Sequence, residues 1–214
     1  MSLSRFRSAI GSLIAELGFG TANPASRQTI RRVPVSEAAR QLEERGLLKR
    51  WKGPDQSERI IPYIEELLGR PLPPDLVDFY RERIESIGDF GSYLPVWSDR
   101  VGWRSDPEWI TRHLDLAAVE VFSDGSGNAY VLDLSGRQEP PGVYFIDHDY
   151  WPARLECAMG SSLGAFLLII GEETRADEAN ETKPPRWELA IDPDIEKCER
   201  AGPSWFVGDD FSTK

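Results

Sequence analysis

The chain has 214 residues, with 25 Lys and Arg against 36 Asp and Glu, a formal net charge of −11. A chain of that length buries about 70% of the surface its unfolded form exposes, and a 40% hydrophobic content with seven Trp and nine Phe can fill the core, which excludes a disordered chain. The acid excess excludes a general nucleic-acid binder, which needs Lys and Arg to displace counterions from phosphates, and leaves basic partners or simple solubility as its uses.

Cys157 and Cys198 are the only cysteines. Neither sits in a CxxC pair, so they read as two reduced, part-buried thiols, which suits the cytoplasm. No apolar run approaches the roughly 18 residues of a membrane span. At the N-terminus Arg5 and Arg7 precede a short apolar run that Glu16 interrupts, a pattern that does not make a signal peptide.

Charge is uneven along the chain: residues 1–59 carry +5, residues 60–171 carry −10 and residues 172–214 carry −6. In residues 1–57, a helical extension by composition, Leu3, Phe6, Ile10, Leu13, Ile14 and Leu17 recur at helical spacing before Gly18 and Gly20. A second helix is expected at Glu37–Arg45, with Ser36 as N-cap and Gly46 just past its end. Its apolar stripe is narrow, which predicts a surface position.

Stronger signals begin near residue 58. Ile60, Ile61, Ile64, Leu67 and Leu68 make an apolar stripe that Gly69 stops. Pro74 suits a first helical turn, with Asp75 and Asp78 at the positive end of the dipole. Leu76, Phe79, Tyr80, Ile84 and Ile87 predict a continuation of that helix to about Gly88. Asp106-Pro107 opens a short helix through Leu114. Strands are expected at Ala118–Ser123, Asn128–Leu134 and Gly142–Asp147, the first two joined by a hairpin over Asp124-Gly125-Ser126-Gly127. Ser161 or Ser162 caps a helix carrying Leu163, Phe166, Leu167 and Ile170. After Gly171 an acidic, proline-punctuated tail, partly ordered through its aromatics, completes the chain. Helices, then hairpin-linked strands, then a helix predict an α+β fold with an antiparallel sheet of about four to six strands flanked by helices.

Few motifs carry chemistry. Gly125-Ser126-Gly127-Asn128-Ala129-Tyr130 lacks the third small residue of a dinucleotide fingerprint and leads into a strand, so no helix N-terminus meets a pyrophosphate. Gly160-Ser161-Ser162-Leu163-Gly164 spaces its glycines one residue too far for a nucleophile elbow, and its serines are explained by capping. Asp147-His148-Asp149 is the most enzyme-like triplet, yet on a strand the two carboxylates face away from the imidazole. The other histidine, His113, supplies no metal-ligand spacing. No catalytic, cofactor-binding or metal-ligating residue is assigned. Trp97, Trp103 and Trp151 fit core positions or the anchors of a protein–protein contact. The clusters Glu65-Glu66 and Asp75/Asp78 are expected on solvated helix faces.

The ordered series Ile64-Glu65-Glu66-Leu67-Leu68-Gly69, Leu72-Pro73-Pro74-Asp75-Leu76, Phe79-Tyr80, Val121-Phe122-Ser123-Asp124-Gly125-Ser126-Gly127-Asn128, Tyr130-Val131-Leu132-Asp133-Leu134, Gly142-Val143-Tyr144-Phe145-Ile146-Asp147-His148-Asp149 and Ser161-Ser162-Leu163 with Phe166-Leu167 resembles the SUKH superfamily, the Smi/Knr-like domains. It covers residues 58–171, about half the chain. The resemblance implies an α+β domain without catalysis. Its bacterial members are immunity proteins that neutralise toxin domains of polymorphic or contact-dependent systems, many of them nucleases or deaminases with basic surfaces; its fungal members are regulatory adaptors. Two departures are visible: the Ile87-Gly88-Asp89-Phe90-Gly91 stretch replaces a compact Asn-Gly turn, and the segments 1–57 and 172–214 lie outside the motifs.

The expectation is therefore a cytoplasmic, non-enzymatic domain that binds a protein partner, a cognate toxin with a basic surface, without contacting nucleic acid or membrane. An acidic face would occupy the toxin's substrate groove and speed encounter. Asp124, Asp147, His148 and Asp149 are the candidate contacts, with Trp97, Trp103 and Trp151 as anchors. A Smi/Knr-type adaptor is the alternative, and an enzyme or metal protein using His148 is the third reading.

Overall fold

The computed structural model describes residues 30–55, 57–88, 90–91, 118–123, 128–136, 138–147 and 155–201. The expected helices at 3–17 and 106–114 lie outside these residues.

Helix α1 (Val35–Glu44) starts after Pro34, whose carbonyl accepts from Ala38 N at 3.1 Å; no side chain caps it, so Ser36 is not the N-cap. Gly46, at φ +73°, ends it as expected, with Leu47 N donating to Leu42 O at 2.9 Å. The surface position expected for this helix is not what forms. Val35, Ala38, Ala39 and Leu42 recur at helical spacing and are all fully buried. A stripe that is narrow because it is made of alanines packs closer than one made of leucines.

The partner of that stripe is α4 (Leu163–Glu178). Ser162 Oγ accepts from Ala165 N at 3.2 Å, which is the predicted cap. The helix runs seven residues beyond Gly171 and ends where Asn180, at φ +54°, lets Glu181 N return to Ala176 O at 2.8 Å. Gly164 and Gly171 stand one heptad apart on the face toward the N-terminal segment. A Cβ at Gly164 would overlap the Val33 carbonyl, and one at Gly171 would overlap the end of Leu42.

Between these helices in sequence lie α2 (Ser57–Leu68) and α3 (Pro74–Glu82). The Asp55 carboxylate accepts from Ser57 N at 2.8 Å at the start of α2, and Gly69, at φ +66°, ends it. Pro73 and Pro74 open α3 as predicted. This helix stops at Glu82, not near Gly88, because Arg83 adopts φ +55° and Ile84–Ile87 form strand β2. Strand β1 (Leu48–Arg50) pairs antiparallel with β2 through Leu48↔Ile87, and β2 pairs with β3 (Phe90–Gly91). An edge for β-branched Ile84 and Ile87 to join outweighs the helical spacing they share with α3.

A second sheet is a four-stranded antiparallel meander of β4 (Ala118–Ser123), β5 (Ala129–Asp133), β6 (Val143–Ile146) and β7 (Leu155–Gly160), in that order. The first three match expectation. All five residues of β5 are buried, so both faces of the sheet are covered. One face, with Tyr130, Leu132 and Val143, packs under α1, α3 and α4. A register shift between Glu120 and Phe122 brings both Val121 and Phe122 to that side. Phe122 then bridges Phe79 and Phe166, each at 5.6 Å between ring centroids. The other face, with Ala118, Val131, Tyr144 and Ile146, is covered by Ile30 and by Ile195 and Cys198 of α5 (Ile195–Ala201). Tyr144 Oη donates to the Cys198 carbonyl at 3.3 Å.

The architecture is thus α+β with two antiparallel sheets, of three and four strands. Its buried clusters run across the junctions drawn in the sequence at 57/58 and 171/172. Among the described residues no helix is long and apolar enough to cross a membrane.

The helix contact makes a graded test. Gly164→Ala is expected to cost about 1–3 kcal/mol, since the obstacle is backbone. Gly171→Ala meets a side-chain end and regains about 1 kcal/mol of helix propensity, so its loss is smaller. Urea midpoints at constant m-value should fall in the order wild type, Gly171→Ala, Gly164→Ala; an unchanged midpoint for Gly164→Ala would mean that Val33 is not pressed onto α4.

Candidate functional site

Of the residues predicted to contact a partner, Asp147 is described. It is half-buried and follows the last residue of β6. Asp124, His148, Asp149, Trp97, Trp103 and Trp151, together with His113, lie outside the described residues. The strand register nevertheless fixes where the connections carrying Asp124 and Asp147-His148-Asp149 depart. Ser123 pairs with Ala129, Ala129 with Ile146 and Ile146 with Leu155, so these four form one row across one end of the sheet. Both connections leave from that row, with Asp147 beside it.

The opposite end is more fully built. There Ala118 pairs with Asp133, whose N donates to the Gly142 carbonyl at 2.9 Å; Gly160 pairs with the next residue, Val143, and the chain passes from Gly160 directly into the cap of α4. Asp133 accepts from Ser135 N and Oγ, each at 2.8 Å. Gln138 Nε2 donates to the carbonyls of Pro140 at 3.0 Å and Ser161 at 3.1 Å. Buried Asp192 accepts from Ser161 N at 2.6 Å and Ser161 Oγ at 2.7 Å, which ties the segment before α5 to the start of α4. The two serines proposed as caps thus divide the work: Ser162 caps the helix and Ser161 anchors the C-terminal segment.

Across this end runs an irregular strap, residues 30–34. Arg31 N donates to Asp194 Oδ2 at 2.7 Å. The Arg32 guanidinium donates to Asp75 Oδ1 from Nε at 2.7 Å and lies 2.5 Å from it through Nη2. Asp75, expected on a solvated face, is instead only 2% exposed in the first turn of α3, while Arg32 is 44% exposed. Burial raises the Asp75 carboxyl above the ordinary carboxylate range; Arg32 opposes this, and repulsion from Asp78 and Glu139 adds to it. The sequence carries no signal for this pair, whose partners are 43 positions apart.

A third feature is an open cleft of about 460 Å³ between α1, α4 and the segment 181–191. A ladder of ion pairs lines it: Arg45 to Glu172 at 3.4 Å, Glu172 to Arg175 at 2.7 Å and Arg175 to Glu181 at 2.8 Å. Lys183 Nζ lies 4.2 Å over the Trp187 ring and 3.7 Å from Glu173. Arg175 holds the carboxyls of Glu172 and Glu181 below their ordinary range. Each cation in the cleft already faces a carboxylate, so the arrangement clamps 181–191 to the helices. Among the described residues no three His, Cys, Asp or Glu side chains converge as metal ligands.

A comparison with protein-family models, with curated proteins and with solved structures finds no match to the chain.

Two predictions follow from the polar end. Asp192→Ala leaves the buried Ser161 N–H and Oγ without their acceptor and is expected to lose about 1–3 kcal/mol, with faster amide exchange over 180–201. For pH, the signs differ between groups. Glu172 and Glu181 bind protons less readily when folded, so their contribution is whole above the ordinary 4.5 and is lost as pH falls through their lowered values. Asp75 binds its proton more readily when folded, so its ionisation removes stability as pH rises above the ordinary 3.8. Asp75→Asn should therefore gain on wild type in unfolding free energy between about pH 4 and about pH 7. A flat difference would show that Asp75 titrates alike in both states.

Proposed function

We propose that this chain is a non-enzymatic protein-binding domain of the SUKH type, an immunity protein that neutralises a cognate toxin with a basic surface, nuclease-type toxins being the leading class. It works in the cytoplasm. The observation that carries the proposal is the shared row of Ser123, Ala129, Ile146 and Leu155. The stretches bearing Asp124 and Asp147-His148-Asp149 begin and end at residues of this row, which supports reading them as parts of one surface. The net charge of −11 supplies the long-range field that steers a basic domain toward it. The order of helices, meander and capped helix agrees with the SUKH-like reading of the motifs.

Binding then works by occlusion. Carboxylates at the sheet end stand in for phosphates in the toxin's groove, and the aromatic side chains Trp97, Trp103 and Trp151 are the candidate anchors. A toxin encoded beside this chain's own gene would be the partner to test. Co-expression should restore growth of cells making the toxin, and the purified pair should associate at least about tenfold more slowly at high than at low salt. Asp147→Lys should slow association by about tenfold, with the urea midpoint measured alongside to separate binding from stability. Absence of protection, with no basic toxin co-purifying from the native host at low salt, would remove the immunity reading and leave the adaptor role.

A further inference from the structure

We propose that the carboxylate of Asp75, with Asp78 and Glu139 around it, is a docking site for an arginine side chain of a basic peptide segment, and that Arg32 fills this site in cis in the free protein. The site lies at the end of the meander opposite the Asp147 row and does not depend on the immunity assignment.

The case begins with an unsatisfied atom. Both close contacts of Arg32, through Nε and Nη2, go to Oδ1 of Asp75. Oδ2 is buried and accepts no hydrogen bond among the described residues, and Asp75 as a whole is 2% exposed. A guanidinium seated squarely on a carboxylate makes two parallel bonds, one to each oxygen. Arg32 makes a one-oxygen contact, because its backbone is held elsewhere: Arg31 N is bonded to Asp194, and the Val33 carbonyl rests on Gly164. The strap thus brings a guanidinium to the site without the freedom to align it. An arginine arriving on a separate segment has that freedom, and its fork can reach both oxygens.

The surroundings favour a cation of that shape. Asp78 and Glu139 both stand close enough to repel the Asp75 charge, so the patch gains from more positive charge than Arg32 brings. Asp78 is half-buried and Glu139 exposed, which leaves them reachable by a second basic residue of the same segment. Arg32 is 44% exposed, so the cation that fills the site already borders solvent. Lysine, a point charge without a fork, cannot satisfy both oxygens in this way.

The test compares nona-arginine with nona-lysine by calorimetry at about physiological salt. Arg32→Ala should bind nona-arginine at least fivefold more tightly than wild type, with no such gain for nona-lysine, and Arg32→Ala with Asp75→Asn should lose the gain. On wild type, nona-arginine should change the Arg32 side-chain NMR resonances as the guanidinium is displaced, while the Arg31 amide stays protected by Asp194. If Arg32→Ala does not fold, Arg32→Lys keeps the charge without the fork and should show a gain of at least twofold in the same sense. Equal affinities for wild type and the Arg32 variant, an unchanged affinity in the Asp75→Asn background, or equal gains for both peptides would each overturn the proposal.

Discussion

The fold depends on how closely α1 approaches α4. Ala38 and Ala39 on one side and Gly164 and Gly171 on the other remove the side chains that would hold two helices apart. Dispersion falls off steeply with separation, so backbones brought together this way gain contacts that larger residues would give only with perfect interdigitation. Three consequences follow from that one approach. Leu42 reaches the glycine at the middle of α4, the Val33 carbonyl settles on the glycine at its start, and the strap 30–34 is thereby fixed across the end of the sheet. Without the approach, Ile30 and Val35 could not serve two different buried clusters only five residues apart.

Closing both faces of the meander determines where anything else can bind. An antiparallel sheet commonly leaves one face to water. Here the helical layer takes one face, and the segment around Ile195 and Cys198 takes the other. Among the described residues, the ends of the strands and the outer faces of the helices are then the surfaces left for recognition. The ends differ in kind. At one, the connections that carry Asp124 and Asp147-His148-Asp149 leave the sheet; at the other, a hydrogen bond donated by Gln138 and those accepted by Asp192 and Asp194 knit the cap of α4, the strap and the C-terminal segment together. A knitted end holds a carboxylate such as Asp75 in a fixed position, which loops alone do not.

Most of what could be read in the sequence was local. Gly46, Gly69, Pro74 and Ser162 mark helix limits through backbone geometry and hydrogen bonding within a few residues, and the strands β4, β5 and β6 announce themselves by β-rich composition. What escaped was decided by distant partners. Ile84 and Ile87 carry helical spacing from α3 but pair with Arg50 and Leu48 of β1, 34 and 39 positions away. The stripe of α1 looked too thin to be buried because alanine scores low on hydrophobicity, while its value here is small size. Strand β7 was missed because its sequence, Leu155–Gly160, carries no alternation and takes its state from β6. Asp75 looked like a helix-dipole residue, which it is, but nothing nearby in sequence foretold Arg32. The site residues chosen by charge were legible as types, and the register supplies a common edge for the connections that carry them.

The net charge is best understood through which cations are already committed. Arg40 forks between Glu37 and Glu44 on α1, Arg50 joins Glu43 to Glu82, and Arg175 links Glu172 to Glu181. Lys183 is likewise set against Glu173 of α4, and Arg186 and Lys197 against Glu188 and Asp194. Most of these pairs are exposed and add little stability each, but they neutralise the basic side chains locally. The excess of acids is felt at a distance as a field of one sign. Arg32 is the exception in kind, because its carboxylate is buried and its own side chain is not. There the balance of desolvation against attraction is unfavourable to ionised Asp75 even with a cation beside it, and a second guanidinium that satisfied both oxygens would relieve a cost the folded chain already bears.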